Sequence, residues 1–475
     1  MNEEIIKICI YYMEKIGVNF IENNGRGTIC LYNNEEYIWY YNNPYKLFHQ
    51  KTYKTLDFFK EISKIKTFKK AYQNKCSIDL ENVLELDDKE LYNIIVNTQN
   101  LENYSEVVSN FLDNYKIFKI QSPMATRKTN IVKEIINQSS NKNIIIITNR
   151  RTLAQESHNK YKDFHYYENP GYNGGNLIVQ FDSLWKYEIS EFDIIIMDEI
   201  TSLLLYISEP YKGKENNYRK NIEKFLNIDE YDNKIVLLDS FIIYHPFKGK
   251  ELKLYNEFRE NIKVIEYKNK YTFFSKIVNI SRNESISISS NEKRILKKIY
   301  NKLTKKGIRC LLLTADTPNK DKIFEELQNS KCLKNYGYDV LLFSPVVTTG
   351  VSFFFNINNH FHFDNSRSID PVNSIQMIRR IRNAKIIHYY IQGQISYKTT
   401  DIEKIKKYNH VLDYFKMYNV RGVTIGLTNA GEKLSKIIRI KNILANTHKY
   451  AFRELMKYQF KEVHLNNFEM DTFRF

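Results

Sequence analysis

Cysteine is scarce in this 475-residue chain: there are five, at Cys9, Cys30, Cys76, Cys310 and Cys332, and no two form a C-x-x-C pair. That spacing supports neither a structural zinc site nor a disulfide framework, so a reducing, intracellular compartment is the expectation. Glycine (15) and proline (8) are too few for a collagenous or linker-dominated protein. No apolar run approaches the roughly 18 residues of a membrane-spanning helix. The longest, such as Ile144–Ile147 and Ile194–Met197, are strand-length. Residues 1–13 carry Glu3 and Glu4 and lack the charge pattern of a signal peptide. A soluble protein with no membrane partner is expected.

Basic charge is abundant. Lys and Arg number 71 against 55 Asp and Glu, a net +16, which suits a polyanion, nucleic acid before membrane. A hydrophobic content of 43% is enough for real cores and excludes a wholly disordered chain. The length suits about three domains. Tyr (36) and Phe (29) are frequent, but so are Asn, Lys and Ile, and an A/T-rich coding sequence accounts for that mixture. The Tyr-rich stretch Tyr37–Tyr45 could stack on bases, and the same composition bias explains it equally well.

Residues 1–115 mix helical and strand patterns and carry no evident chemistry. From 116, β-branched runs alternate with amphipathic stretches. Strands are expected at Ile117–Gln121, Asn143–Thr148, Leu177–Phe181, Asp193–Met197 and Lys234–Leu238, with helices at Asn130–Ile136 and Arg151–Tyr161. Such alternation reads as a parallel α/β sheet. A second α/β texture starts near 290. It has helices Asn291–Lys305, Asn319–Gln328 and Pro371–Arg382, and strands Arg309–Thr314, Asp339–Phe343, His360–Phe363 and Lys385–Ile391. Residues 250–289 read as extended segments or a connector. The chain after 400 reads as mostly helical, broken between Gly422 and Gly431.

Four segments carry candidate chemistry. Ser122-Pro123-Met124-Ala125-Thr126-Arg127-Lys128-Thr129 lies between a strand and a helix, where a phosphate-binding loop belongs. Lys128 could reach the β/γ-phosphates and the Thr129 hydroxyl could hold Mg²⁺. Asp198 and Glu199 end a buried strand, at the sheet edge where open α/β sheets bind ligands. Asp198 suits a magnesium ligand and Glu199 a water-polarising base, although the pair could equally cap the helix starting near Thr201. Ser344 to Ser352 is a small-polar turn suited to nucleic-acid phosphates, or a plain turn. On the expected helix after Pro371, Arg379 and Arg382 share a face while Arg380 points elsewhere. These arginines either stabilise charge in phosphoryl transfer or form a solvated basic face. His360, His362 and Asp364 read as a satisfied or exposed group rather than a metal site.

In order, the chain presents the Lys-Thr loop, Thr148-Asn149-Arg150-Arg151-Thr152-Leu153-Ala154, Gln180-Phe181-Asp182-Ser183-Leu184, Asp198-Glu199, Lys234-Ile235-Val236-Leu237-Leu238-Asp239, Thr349-Gly350-Val351-Ser352-Phe353 and Gln376-x-x-x-Arg380-x-Arg382. Over about 116–395 this series resembles the superfamily-two helicase core, and more narrowly the herpesvirus-type replication origin-binding protein family. The resemblance implies two tandem RecA-like lobes at 116–285 and 286–395, an N-terminal α+β extension at 1–115 and a mostly helical C-terminal extension at 396–475. It implies ATP and Mg²⁺ as cofactors, DNA and replication proteins as partners, and, for a viral chain, a host-cytoplasmic or replication-site location.

Residue by residue, it implies that Ser122, Ala125, Thr126, Arg127, Lys128, Thr129 and Gly350 bind nucleotide. Asp198, Glu199, Gln376, Arg380 and Arg382 would be catalytic, with Thr129 and Asp198 on the metal. Arg150, Arg151, Gln180, Ser183, Thr348, Thr349 and Ser352 would contact nucleic acid. The family loop reads Met-Gly-Thr-Gly-Lys-Thr, so Ala125 and Arg127 replace both glycines. Asp239-Ser240-Phe241 lacks the second carboxylate of the family's Asp-Ala-Asp coupling motif, and Arg379 stands where glycine is frequent. Two readings follow: a nucleic-acid-dependent ATPase motor, or an ATP-binding but non-hydrolysing accessory subunit.

Overall fold

The structure, a computed structural model, describes five strands between residues 19 and 57, residue 80, and residues 92–466 except 210–214, 329–330, 346–351, 394–395, 397, 409–410, 412–414 and 419–423. The N-terminal strands β1 (Asn19–Asn23), β2 (Gly27–Tyr32), β3 (Glu35–Tyr40), β4 (Lys46–His49) and β5 (Thr55–Asp57) form an antiparallel meander.

The first parallel sheet contains β6 (Ile94–Val96), β7 (Ile117–Gln121), β8 (Ile144–Thr148), β9 (His165–Tyr166), β10 (Leu177–Gln180), β11 (Ile194–Asp198), β12 (Lys234–Asp239) and β13 (Glu251–Asn256). Their spatial order is β6-β13-β7-β12-β11-β8-β10-β9, and every pairing is parallel. Helices α1 (Ser105–Asn114), α2 (Thr129–Gln138), α3 (Arg151–Lys160), α4 (Ile200–Ile207) and α5 (Glu215–Leu226) connect these strands. The unbroken isoleucines of β8 and β11 are buried, as strands covered by helices on both faces require.

The second sheet is also wholly parallel. It contains β14 (Lys263–Tyr267), β15 (Ile286–Ser290), β16 (Cys310–Leu313), β17 (Val340–Phe343), β18 (Asn359–Asp364), β19 (Ile386–Ile391) and the C-terminal β22 (Val463–Asn466), in the order β16-β17-β15-β18-β19-β14-β22. Its helices are α6 (Lys270–Ile280), α7 (Lys293–Thr304), α8 (Lys320–Gln328) and α9 (Pro371–Ile378). On α7, Ile295, Leu296, Ile299 and Leu303 are buried on one stripe, and the lysines between them cover the other face. The two sheets are tandem RecA-like lobes.

Sheet membership runs past the segment limits read from sequence. β14 and α6 lie in the 250–289 stretch and belong to the second sheet, while Ile94–Val96, from region 1–115, joins the first. Parallel pairing with a distant partner, rather than local pattern, recruits these short strands. The Pro371–Arg382 helix is also shorter than expected. It starts on an Asp370 cap with Pro371 at its first position, but it ends at Ile378. Arg379, Arg380 and Arg382 therefore lie on the turn beyond it, and the shared helical face of Arg379 and Arg382 does not exist.

The C-terminal region adds α10 (Ile402–Ile405), a hairpin of β20 (Phe415–Tyr418) and β21 (Thr424–Leu427), α11 (Asn429–Asn446) and α12 (His448–Gln459). Its long helices straddle both lobes. Leu434, Ile437 and Ile438 of α11 join the core of the first lobe, whereas Ala451, Phe452, Leu455 and Met456 of α12 join that of the second. No helix among the described residues is long and apolar enough to cross a membrane.

A buried polar chain runs beneath α12. His360 lies 2.8 Å from Ser287 Oγ and 3.0 Å from Ser289 Oγ, and His362 Nδ1 lies 2.8 Å from Ser289 Oγ. Asp364 accepts from Ser374 Oγ at 2.6 Å and pairs with His448 Nε2 at 3.0 Å. No group of three His, Cys, Asp or Glu able to hold a metal occurs among the described residues. Burial opposes the His448 charge, but Asp364 outweighs it and lifts the imidazole above its ordinary 6.5. Asp364 is held well below the usual carboxylate range, His448 outweighing its burial. The histidine's contribution to stability is thus complete below its unfolded value and is lost as pH rises through the raised folded one. His448→Gln should lower the melting temperature at pH 6, where breaking a buried pair costs about 3 kcal/mol or more. The deficit should shrink at alkaline pH; a pH-independent deficit would show that the pair contributes no charge-dependent stability.

Candidate functional site

Strand β7 delivers the chain into the 122–128 loop, and α2 leaves it. Ala125 and Arg127 both have left-handed backbones, with φ of +64° and +58°. These are the two positions where the resembling family writes glycine, so the loop keeps a glycine-type path with side chains present. Each costs roughly 1–2 kcal/mol. Surroundings hold the path in place. Ser122 Oγ and Thr126 Oγ1 are 2.5 Å apart, and Thr126 Oγ1 donates to Pro123 O at 2.7 Å. Leu101 N–H donates to Thr126 O at 3.1 Å, and the fully buried Asn256 amide donates to Ser122 Oγ at 2.9 Å. The Arg127 side chain turns outward and pairs with Glu102 at 3.1 Å, both half exposed. Lys128 Nζ donates to Ser122 O at 2.7 Å and Pro123 O at 3.1 Å.

The spatial order β7-β12-β11 brings three strand ends together. Asp198 ends β11 and Asp239 ends β12. Asp239 accepts from Thr201 N–H at 2.8 Å and Ser240 N–H at 2.6 Å, and so fixes the start of α4. Glu199 stands before α4 in a left-handed conformation, φ +56°, and makes no side-chain cap to it. The capping alternative is therefore not what the residue does. Its Oε1 accepts from Arg380 Nη2 at 3.4 Å, and its Oε2 is buried without a partner. The Gln376 amide, from the second lobe, donates to Ser202 Oγ at 3.2 Å. Arg382 Nε donates to Ser352 Oγ at 3.2 Å.

One inter-lobe cleft of about 660 Å³ is lined by Ala125, Thr126, Arg127, Lys128, Thr129, Asp198, Glu199, Gln376, Arg380 and Arg382. Burial dominates its electrostatics. It lifts Glu199 to about 7 against the pull of Arg380, and Asp239 to about 6 against the Thr201 N–H and Lys128. It raises Asp198 and lowers the Lys128 ammonium, the latter against Asp239, Asp198 and Glu199. Burial, with Arg380 beside it, brings Arg382 down to about 10.

The cleft has the size of a small-molecule site. Glu199 Oε2, Arg380 Nε and Arg382 Nη1 are buried without hydrogen-bond partners, which is uncommon for buried polar atoms. Unspent cationic donors beside a hydroxyl and two carboxylates match a polyphosphate with a divalent cation, so the residues present fit ATP and Mg²⁺. The Thr129 hydroxyl and Asp198 would hold the metal.

The residues expected to meet nucleic acid are dispersed. Half-buried Arg150 lines a second inter-lobe cavity of about 230 Å³ with Arg367, Asp370 and Lys441. Burial lowers its guanidinium, against Glu199. Arg151 is exposed and pairs with Glu168 at 3.0 Å. Gln180 is engaged locally, accepting from Tyr167 and donating to Asp182. Ser183 sits half-buried on a short turn. Thr348, Thr349 and Gly350 lie outside the described residues. Sequence reasoning missed Asn256, Glu260 and Gln459, which brace the loop and the arginine turn; none lies in a recognisable motif.

No family model matches the chain. It is 27% identical over 385 residues to the "Putative replication origin-binding protein" of Acanthamoeba polyphaga mimivirus, covering 73% of this chain and 45% of that protein. It is 24% identical over 406 residues to the same virus's "Uncharacterized putative helicase R8", covering 74% of this chain and 38% of that protein. The chain thus spans less than half the length of either relative. Among solved structures, it is similar to S. cerevisiae Dbp5 bound to RNA and ADP BeF3, with 15% identity and a TM-score of 0.42 over 62% of this chain and 84% of that one. By its relatives, the order of its motifs and its paired parallel sheets, the chain is similar to superfamily-two helicases and, among them, to the replication origin-binding protein type.

Proposed function

We propose that this chain is an ATP-dependent nucleic-acid motor of the origin-binding protein type, acting on DNA during replication. The observation that carries the reading is the single cleft joining Lys128, Glu199 and Arg380, contributed by two lobes. Lys128 would leave the loop carbonyls for the phosphates. Magnesium, when bound, neutralises charge on the β- and γ-phosphates. Glu199, at the edge of the carboxylate range and with one free oxygen, is suited to orient water and accept its proton. Arg380 and Arg382 would stabilise charge from across the cleft, so nucleotide contact would draw the lobes together. Arg150, Arg151 and the basic surface would hold the strand.

The second reading is an accessory subunit that binds ATP without turning it over. It is favoured by the strained loop, where Ala125 and Arg127 keep Cβ atoms in a left-handed path. The retained Lys128, Thr129, Asp198, Glu199 and Arg380 favour the motor.

Nucleic-acid-stimulated ATPase of the full chain decides between them. Glu199→Gln should reduce turnover at least about 100-fold, in line with loss of a general base, and Lys128→Ala should do the same by removing a cation from the phosphates. Wild-type turnover no higher than theirs would establish the accessory reading. The Ala125→Gly, Arg127→Gly chain should bind nucleotide more tightly. It should also gain up to about 3 kcal/mol in stability: strain relief of roughly 1–2 kcal/mol per site less about 0.4–1 kcal/mol per site of unfolded-chain entropy. Unchanged affinity and melting temperature would refute strain as the loop's defect. Affinity for single-stranded DNA should fall linearly in log–log against salt as counterions are released; a salt-independent complex would contradict phosphate recognition.

A further inference from the structure

The end of α12 is wedged between the lobes, against three elements of the cleft. Tyr458 packs edge-on against Phe241, just beyond Asp239, with ring centroids 5.2 Å apart, and at a tilt against Tyr255 of β13 at 5.8 Å. Phe460 lies under the Arg379 guanidinium, 5.9 Å from ring centroid to guanidinium carbon. Between them, the fully buried Gln459 accepts from the Met124 N–H of the phosphate loop at 3.1 Å and donates to Glu260 Oε1. The other Glu260 oxygen pairs with Arg379 Nη2. The backbone repeats the tie: Glu260 N–H donates to Gln459 O at 2.9 Å, and Lys461 N–H donates to Glu260 O at 3.1 Å.

The chemistry of this chain is directional. A backbone N–H can only donate and an ionised carboxylate can only accept, so the Gln459 amide has one orientation that satisfies both neighbours. Arg379 is 2% exposed, and Glu260 is its counter-charge. It stands directly before Arg380, which reaches Glu199. The path Met124–Gln459–Glu260–Arg379 therefore joins the loop of one lobe to the arginine turn of the other through a residue of the C-terminal extension.

We infer that Gln459 and Glu260 are positioning residues of the nucleotide site, holding the 122–128 loop and the 379–382 turn in register so that Arg380 and Arg382 face the cleft. The C-terminal extension is then a working part of the motor rather than an appendage. This rests on the proposed ATPase reading for its kinetic consequence, but not for its structural one.

Two readouts on the full chain separate these. Gln459→Leu keeps the apolar bulk and removes both hydrogen bonds. It should lower nucleic-acid-stimulated kcat at least tenfold while leaving KM for ATP within threefold. Backbone hydrogen exchange should quicken at least tenfold in peptides covering 122–128 and 376–382, and not elsewhere. Lys457→Ala, on the exposed face of the same helix, should match wild type in both. Arg379→Met cuts the path at its far end, and should quicken exchange in the 122–128 peptide although it touches no residue there. Wild-type-like exchange in both peptides of Gln459→Leu would overturn the inference, as would an unaffected 122–128 peptide in Arg379→Met. Should Gln459→Leu unfold, with exchange raised across both sheets, Arg379→Met alone decides. A wild-type chain without ATPase would sink the motor reading, and the exchange results would still decide the coupling.

Discussion

Desolvation of charge is the constraint from which the rest of this site follows. Lys128, Asp198, Glu199, Asp239, Arg380 and Arg382 share one inter-lobe region, and burial is the largest influence on the protonation of Lys128, Asp198, Glu199, Asp239 and Arg382. Buried charges are tolerated only when paired or when they change protonation state. Here the pairing is partial: Arg380 reaches Glu199 at 3.4 Å and leaves its Nε unmatched. A cleft whose opposite charges nearly but incompletely satisfy each other, across two separate sheets, is suited to change shape when a polyanion joins it. That would be the physical basis of the proposed coupling between nucleotide contact and lobe motion.

Topology makes such crowding possible. In an all-parallel sheet every strand delivers its carboxyl end to the same edge. The adjacency β7-β12-β11 therefore brings Ser122, Asp239 and Asp198 side by side, though they are far apart in sequence. The second sheet presents Ser352, Gln376 and Arg380 to the same gap, and Ser202–Gln376 and Glu199–Arg380 tie the halves. α11 contributes Leu434, Ile437 and Ile438 to one core and Ile443 and Leu444 to the other, and α12 meets the first lobe through Tyr458, which makes the C-terminal region part of the inter-lobe geometry.

Much of this was legible in the sequence. The β-branched runs of β7, β8, β11 and β12 mark buried strands within a residue or two of where they lie, because continuous burial on both faces leaves little compositional choice. The ordered motifs located the carboxylates, the lysine and the arginines. What stayed illegible depends on partners distant in the chain. β14 and β22 are short, and they become strands by pairing with β19 and with each other. Helix α9 ends at Ile378 although its apolar pattern continues through Ile381, because Arg379 turns inward to a counter-charge, Glu260, that no local pattern announces. Gln459 meets Glu260 from the far end of the molecule and carries no motif.

The 122–128 loop shows how such distant contacts substitute for local preference. Glycine normally makes a left-handed backbone inexpensive, and neither Ala125 nor Arg127 does so. Strained conformations persist only when the surroundings over-determine them. The surroundings here are explicit: Asn256 on Ser122, the Ser122–Thr126 contact, Leu101 on Thr126 and Gln459 on Met124. Three of those four braces come from outside the loop, on β13, the segment before α1, and α12. The loop's shape is thus a property of the assembled lobes and the C-terminal helix together. With side chains at both left-handed positions, the burden of shaping the loop falls on the tertiary structure around it, and the candidate site is sensitive to whatever holds α12 in place.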